Sequence, residues 1–171
     1  ELGSTLARIS FIIPETEIKL DIETAIVGTE VTINGKGFYA DKVVTVYYEN
    51  RIEEKLGTEV AGPSGEFNFS FIIPDSTAGR HTITVENIRD DHTEVELEVI
   101  PSIALNLTSG AISELLTVSG TGFGYKSDVA IYFRDLEVAY AKTSEYGNFH
   151  ASFNAPVMIP DTYGVKADDV D

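Results

Sequence analysis

Apolar and polar residues alternate along much of this 171-residue chain. The clearest case is the segment 93–99, in which Val95, Leu97 and Val99 are separated by glutamates. A period of two places every second side chain on the same face, which is typical of half-buried β-strands. The other alternating segments of the first hundred residues are 31–33, 44–48, 67–71 and 83–85. No window has the period of an amphipathic helix, so the sequence predicts an all-β protein.

Turn-forming residues separate the predicted strands. Glycine, proline, serine and aspartate concentrate at 35–37, 62–65, 74–79 and 89–92. About seven short strands within roughly 85 to 100 residues is the pattern of an immunoglobulin-like sandwich.

The sequence also repeats itself. Residues 31–38 (VTINGKGF) match residues 116–123 (LTVSGTGF), 85 positions later. Residues 44–48 match 129–133 at the same spacing. Such self-similarity indicates two copies of one structural unit.

Further along, the spacing of the repeat changes. Residues 65–67 (GEF) match 147–149 (GNF) at a spacing of 82, and matching Gly79 with Gly164 restores the spacing to 85. Compensating length changes of this kind are expected in surface loops, which tolerate insertions.

We therefore predict two tandem immunoglobulin-like β-sandwiches of Greek-key topology. Residues 14–99 form the first domain and residues 100–171 the second. Ile100-Pro101 is the only linker, which predicts tight coupling of the two domains. The second copy ends after a strand predicted at 163–167, so it lacks its last strand.

Residues 1–13 precede both copies and are predicted to be the final strand of an upstream repeat, so we expect both ends to be cut from a longer protein. Ala7, Ile9, Phe11 and Ile13 alternate here as the residues before Ile100 do. Two interpretations remain open. Either the strand packs on the first copy or frays, or residues 6–13 fill the vacant edge of the second copy in a neighbouring molecule, giving a strand-exchanged homodimer or an open chain.

The second copy carries a family resemblance. Its segments 117–123 (TVSGTGF) and 129–133 (VAIYF) resemble the IPT/TIG type of immunoglobulin-like domain. The later segment 147–149, with Phe153, Pro156 and Gly164, resembles repeats of secreted and surface-layer-associated proteins of bacteria and archaea. The resemblance implies a spacer, adhesion or accessory module without activity of its own. Some relatives sit in DNA-binding transcription factors, but that role needs basic loops.

A G-x-G-F motif occurs once in each copy, as Gly35, Gly37 and Phe38 and as Gly120, Gly122 and Phe123. The glycines predict a sharp, bulged turn with positive φ, and the phenylalanine is predicted to plug the end of the sandwich. A phosphate-cradling loop is the alternative, but no helix follows either motif.

Composition restricts the classes of function. The chain has 28 acidic and 12 basic residues, a formal charge of −16, 43% hydrophobic residues and no cysteine. This balance excludes a disulfide scaffold and cysteine-ligated metal sites, and it disfavours binding to nucleic acid. The apolar runs are too short for membrane insertion.

Little in the sequence indicates catalysis. We expect neither a nucleophile nor a carboxylate partner beside any of the three histidines, His81, His92 and His150, with His92 in a turn and His150 facing solvent. The chain is therefore predicted not to be an enzyme. Four tyrosines are candidates for a sugar-stacking face, with cross-strand packing as the alternative: Tyr39, Tyr47, Tyr125 and Tyr132.

Calcium is the one cofactor to consider. Asp90 and Asp91 follow a predicted strand of the first copy, and Asp168 and Asp169 are expected at the equivalent place in the second. Clustered carboxylates supply the oxygen ligands that calcium takes, although solvated acidic turns are the alternative. No cofactor other than calcium is indicated.

Together these patterns predict an extracellular or cell-surface structural module within a larger repeat protein, serving as spacer, adhesion or self-assembly unit. Its expected partners are other repeats of the same protein. The alternative is a carbohydrate- or protein-binding accessory module of a secreted enzyme.

Overall fold

The computed structural model describes residues 8–10, 15–49, 55–88 and 92–170. These residues form fourteen β-strands and no helix. The strands are β1 (Glu17–Leu20), β2 (Thr24–Ala25), β3 (Glu30–Lys36), β4 (Val43–Tyr48), β5 (Lys55–Val60), β6 (Phe67–Ile72), β7 (Gly79–Glu86), β8 (His92–Val99), β9 (Ser102–Leu105), β10 (Leu115–Thr121), β11 (Asp128–Phe133), β12 (Leu136–Lys142), β13 (Phe149–Asn154) and β14 (Val165–Asp169).

The first eight strands form a sandwich of two sheets. One sheet has the order β1-β3-β6, and the other has the order β2-β8-β7-β4-β5. All pairs are antiparallel except β2 with β8. The alternating residues meet between the sheets, where Ile33, Val46, Ile83 and Leu97 are fully buried.

The last six strands form a second sandwich with its own core. Its sheets have the orders β9-β10-β13 and β12-β11-β14, and they enclose Val118, Ile131 and Phe149. Strand for strand this order repeats the first unit, with β14 in the place of β7. Among the described residues, no strand pairs with the outer edge of β14. The prediction of two tandem immunoglobulin-like sandwiches, the second without its last strand, is confirmed.

The repeat extends to individual hydrogen bonds. The Asp21 carboxylate accepts a bond from the backbone N–H of Thr32 at 2.8 Å, and the Asn106 amide oxygen accepts the equivalent bond from Thr117 at 2.7 Å. The ladder of β4 with β5 shifts its register after Val46, and that of β11 with β12 shifts at the equivalent residue of the second unit.

The ladders correct one part of the sequence alignment. Ile83 pairs with Tyr48 and Val165 pairs with Phe133, so β14 follows β7 at a spacing of 82. The predicted return to a spacing of 85 at Gly164 is wrong. The second unit is three residues shorter in the hairpin before β13, and no later insertion restores these residues before β14. The strand predicted at 163–167 consequently lies at Val165–Asp169.

The segment 1–13 lies mostly outside the described residues, so its predicted strand is not observed. Residues 8–10 have no regular secondary structure, and the side chain of Ile9 is 99% exposed.

The two units touch beside the short linker. The backbone N–H of Ala78 donates to the carbonyl oxygen of Phe123 at 3.2 Å. A Cβ placed on Gly122 would lie 2.9 Å from the carbonyl oxygen of Ile100. The linker backbone is thus packed directly against the second unit.

Candidate functional site

The second glycine of each G-x-G-F motif has the predicted backbone conformation. Gly37 has φ 77° and Gly122 has φ 70°, in the left-handed region that favours glycine. The first glycine has a different role from the one expected. Gly35 lies in β3 without positive φ, and a Cβ there would lie 2.0 Å from the ring of Phe67. Gly120 has the same relation to Phe149.

The phenylalanines of the motifs lie at the ends of the two cores. Phe38 and Phe123 are buried, and each meets a second ring edge-on. The centroid of Phe38 lies 4.9 Å from that of Phe67, and the centroid of Phe123 lies 5.0 Å from that of Phe149. Edge-to-face packing of this kind adds to the stabilisation from area burial.

A cleft of about 340 Å³ lies where the two units meet. We call it the junction cleft. Three sets of residues line it: the end of β4 with the third residue of β7, the loop between β6 and β7, and two loops of the second unit. Its lining residues are Tyr48, Glu49 and His81, then Asp75, Ser76 and Thr77, then Tyr125, Glu145 and Tyr146.

His81 is the most constrained side chain of the junction cleft. It is buried and stacks on Tyr48, with ring centroids 5.3 Å apart. Its Nδ1 contacts the carboxylate of Glu49, and its Nε2 lies 2.7 Å from the carbonyl oxygen of Thr77. A carbonyl oxygen only accepts, so Nε2 carries a proton and donates it.

The expectation that no carboxylate lies beside a histidine is therefore wrong for His81. Glu49 follows β4 with φ 60°, and its backbone N–H bonds to Thr82 on the neighbouring strand, which brings its side chain to His81. No sequence period indicates such a turn. The predicted environment also fails for His92, which opens β8 with Glu94 3.8 Å away.

His150 is solvent-exposed as predicted, but it has a hydroxyl partner that was not expected. Its Nδ1 lies 2.9 Å from the Oγ of Ser119, because the two residues are opposite each other in the β10–β13 ladder. The described residues show no carboxylate bonded to His150. The pair consequently has two of the three roles that a catalytic triad needs.

The chemistry of the junction cleft favours binding over proton transfer. Both His81 nitrogens have partners within the protein, Glu49 and Thr77, so neither faces a substrate. Ser76 shares its hydroxyl with Tyr48 at 2.9 Å and with the carbonyl oxygen of Pro74 at 3.0 Å. The nearest serine is therefore not activated by the histidine.

Aromatic faces and carboxylates remain at the mouth of the cleft. Tyr125 is 63% exposed and Tyr146 is 51% exposed, with the Glu145 carboxylate on the same loop as Tyr146. Lys126 lies over the Tyr125 ring, 5.0 Å from its centroid, and the Tyr125 hydroxyl raises the pKa of this lysine. Sequence analysis missed Tyr146 and Asp75, because only the folded chain brings the loops of the two units together.

The four candidate tyrosines are distributed over both units. Tyr47 lies on β4 and Tyr132 on β11, where the Nζ of Lys166 lies 4.6 Å from the centroid of the Tyr132 ring. Of the four tyrosines, only Tyr125 lines the junction cleft.

Of the candidate calcium ligands, the structure describes the two in the second unit. Asp90 and Asp91 lie outside the described residues. Asp168 lies within β14 and pairs with Lys166 at 3.0 Å, and Asp169 accepts hydrogen bonds from Ser127 at 2.5 Å and from the backbone of Gly124 at 3.3 Å. The corrected register places Asp168 where the first unit has Glu86, so the expected equivalence is wrong.

The described part of the chain offers few side chains that could bind a metal ion together. No group of three or more histidine, aspartate or glutamate side chains there is arranged to hold an ion. Within the same residues, no helix has the length and apolar character to cross a membrane.

No protein-family model matches the sequence, and no curated protein matches it. Solved structures with a similar fold include invasin, a bacterial integrin-binding protein, at 14% identity and TM-score 0.44, covering 92% of this chain and 36% of invasin. Macromomycin is 11% identical with TM-score 0.43, covering 50% of this chain and 100% of its own. A tetra-tandem repeat from the extending region of a large adhesion protein is 12% identical with TM-score 0.39, covering 82% and 40%. Likeness of this size carries no functional conclusion.

Proposed function

We propose that the chain is a non-catalytic structural module of the IPT/TIG type, acting as a stiff spacer in an extracellular or cell-surface repeat protein. The observation that carries the proposal is the tandem repetition of one sandwich across a two-residue linker with direct contacts at the junction. A short linker whose backbone is packed leaves little freedom for hinge motion.

Composition supports the same role. Each unit has its own hydrophobic core, and a chain without cysteine forms that core without a disulfide. The strongly acidic charge keeps a repeated protein soluble at high local concentration. The described histidines offer no base with a free nitrogen next to a nucleophile and a carboxylate.

Stiffness is tested by a distance measurement between the units. The chain has no cysteine, so spin labels on Ser64→Cys and Asp135→Cys report one distance by pulsed electron resonance. We expect a narrow distance distribution. Insertion of four glycines between Ile100 and Pro101 is the matched control, and it should broaden the distribution. A distribution in the native chain as broad as that of the glycine variant would overturn the spacer.

The junction cleft supports a second candidate function, binding of a carbohydrate or a protein partner. Exposed tyrosine faces beside carboxylates are the groups that stack on sugar rings and bond to their hydroxyls. A glycan array probed with the intact chain tests this function. Binding should fall at least tenfold in Tyr146→Ala. It should stay unchanged in Tyr140→Ala, because Tyr140 is also exposed but lies on β12, away from the cleft. Equal loss in both variants would contradict binding at the cleft.

A further inference from the structure

Among the described residues, no strand of the second unit takes the place that β8 holds in the first unit. In the first unit, β8 pairs with β7 on one side and with β2 on the other, and its Leu97 and Val99 are fully buried. In the second unit, β14 pairs with β11, and no strand of the described residues covers its other edge. The backbone groups of that edge are available for another strand.

An apolar groove occupies the place of the missing strand. It has a volume of about 510 Å³ and runs between residues 107–112 and the start of β14. We call it the open slot. In the first unit, β8 lies between β2 and β7. Residues 109 and 110, which follow β2 at a spacing of 85, form one wall of the slot, and β14, the equivalent of β7, forms the other. The walls are apolar, with Leu107, Ile112, Tyr163 and Val165 among them.

Side chains in the open slot are less buried than the equivalent side chains of the first unit. Ile83 and Val85 of β7 are fully buried beneath β8, whereas Val165 and Ala167 of β14 are only partly buried. The side chain of Ile112 is 59% exposed. The slot therefore lacks about one strand's worth of inward-facing apolar side chains.

The floor of the slot is already shaped for such a strand. Tyr48 and His81 stack in the first unit, where His81 pairs with Leu97 of β8. Phe133 and Tyr163 form the equivalent ring pair in the second unit, with centroids 5.4 Å apart. An apolar residue opposite Tyr163 would fill the place of Leu97.

We propose that residues 6–13 of a second copy of this chain occupy the open slot as its missing strand. The segment has eight residues, as β8 has, and its residues Ala7, Ile9, Phe11 and Ile13 alternate as those of β8 do. When residues 6–13 are aligned end to end with β8 (His92–Val99), Ile9 takes the place of Val95 opposite Val165, and Phe11 takes the place of Leu97 opposite Tyr163. The inward residues of the segment then cover the partly buried residues of the slot.

Residues 6–13 of one copy do not reach the open slot of the same copy. The carbonyl of Glu15 approaches Gly37 as the carbonyl of Ile100 approaches Gly122, so the chain enters both units at the same end. The chain consequently enters the first unit at the end that is remote from the second unit, and residues 6–13 precede this entry in the sequence. The three residues 14–16, which connect the segment to β1, span at most about 11 Å. A strand of eight residues, such as β8 of the first unit, is roughly 26 Å long, so the connection is too short to pass along the first unit to the slot.

The contact is heterologous, since a segment of one copy meets a slot of the next. Repetition of such a contact gives a head-to-tail chain, and reciprocal exchange between two copies gives a closed dimer. The proposal extends the structural role given above to end-to-end assembly. Failure of assembly would leave the spacer, which the distance measurement tests separately.

Light scattering after size exclusion tests the assembly with the full chain. We expect the mass to rise with concentration above that of the monomer. The double variant Ile9→Asp, Phe11→Asp should remain a monomer, because a carboxylate does not enter an apolar slot. Ser10→Asp, which alters the outward face of the same segment, is the matched control and should assemble as the native chain does.

Mixing experiments separate the two halves of the contact. Ile112→Asp, Val165→Asp blocks the slot and leaves residues 6–13 intact, so this variant should also be a monomer. Mixed with Ile9→Asp, Phe11→Asp, it should form a complex of one copy of each that does not grow. Ile112→Asp alone, at an exposed position, serves if the double variant unfolds.

A labelled peptide of residues 5–14 provides a direct measurement. It should bind Ile9→Asp, Phe11→Asp, whose slot is vacant, and the same peptide carrying both aspartates should bind at least tenfold more weakly. A native chain that stays monomeric at millimolar concentration while the peptide fails to bind would overturn the proposal. Loss of assembly in Ser10→Asp equal to that in the double variant would also overturn it.

Discussion

The two glycines of each G-x-G-F motif answer different physical requirements. Gly122 has a positive φ, which L side chains rarely adopt, whereas Gly120 allows the ring of Phe149 to rest on its backbone. The ring of Phe149 in turn meets Phe123 edge-on. One short motif thus combines a turn, a close approach and an aromatic pair.

Truncation of the phenylalanine should destabilise the unit that contains it. Phe123→Ala removes a buried ring that closes one core, and we expect the free energy of unfolding of the second unit to fall by about 3–5 kcal/mol. Urea denaturation measures the loss of stability, and hydrogen exchange of the backbone amides shows which of the two units is affected. Phe38→Ala should affect the first unit instead, since the two cores are separate. An unchanged second unit in Phe123→Ala would show that this ring does not support the core.

The close approach at Gly120 is tested by one methyl group. A Cβ there would lie 2.0 Å from the Phe149 ring. Gly120→Ala should therefore lower the free energy of unfolding of the second unit by about 1–3 kcal/mol, because the added methyl group overpacks the core. Gly164→Ala is the control in the same unit, because a Cβ at that position has no atom within 4 Å. Similar melting temperatures for the two variants would contradict the packing role.

At the scale of elements, an ion-pair cluster joins the edge strand β1 to β3. The Glu17 carboxylate lies 2.7 Å from the Nζ of Lys36 and 2.9 Å from the Nζ of Lys19. Hydrogen bonds from Lys36 and Lys19 lower the pKa of Glu17 from 4.5 to about 2. Because all three side chains are exposed, the contribution to stability is modest.

The sign of its pH dependence follows from the lowered pKa. The folded state holds Glu17 ionised, so the stabilisation is present above pH 4.5 and is lost as the pH falls towards 2. Glu17→Gln should therefore melt below the native chain at pH 6 and approach it at pH 2. Glu30→Gln, whose carboxylate has no ion pair among the described residues, should show no such convergence. A difference in melting temperature between the native chain and Glu17→Gln that stays constant with pH would contradict this role of Glu17.

Across the whole molecule, the two units differ in how well their cores are covered. Eight strands enclose the first core and six enclose the second, and the edge of β14 is uncovered in the described structure. Uncovered strands open at lower free energy than central ones. The second unit should thus be the less stable of the two in a dilute monomer.

Hydrogen exchange measures this difference directly. In the variant Ile9→Asp, Phe11→Asp, which is expected to be monomeric, we expect the amides of β14 to be at least tenfold less protected than those of β7. The comparison is internal, since β7 and β14 occupy equivalent places. Equal protection of the two strands would mean that the second core is closed by other means.

Alternation, turn residues and self-similarity were sufficient to predict the repeat and the strands β3, β4, β6, β7 and β8 of the first unit, but they did not identify β1, β2 or β5. These features are local properties of the backbone and of side-chain periodicity, so they are legible in the sequence itself. The spacing error at Gly164 marks the limit of that approach, because glycine identity is weaker evidence than a strand ladder.

Only the tertiary structure decided which residues of distant segments meet. The contact of His81 with Glu49, the convergence of Tyr125 and Tyr146 on the first unit, and the walls of the open slot all join residues that no period relates. The sequence by itself determined two acidic immunoglobulin-like sandwiches in tandem. The cleft between them and the slot beside β14 depend on loop geometry and on the packing of one unit against the next, which residue patterns do not encode.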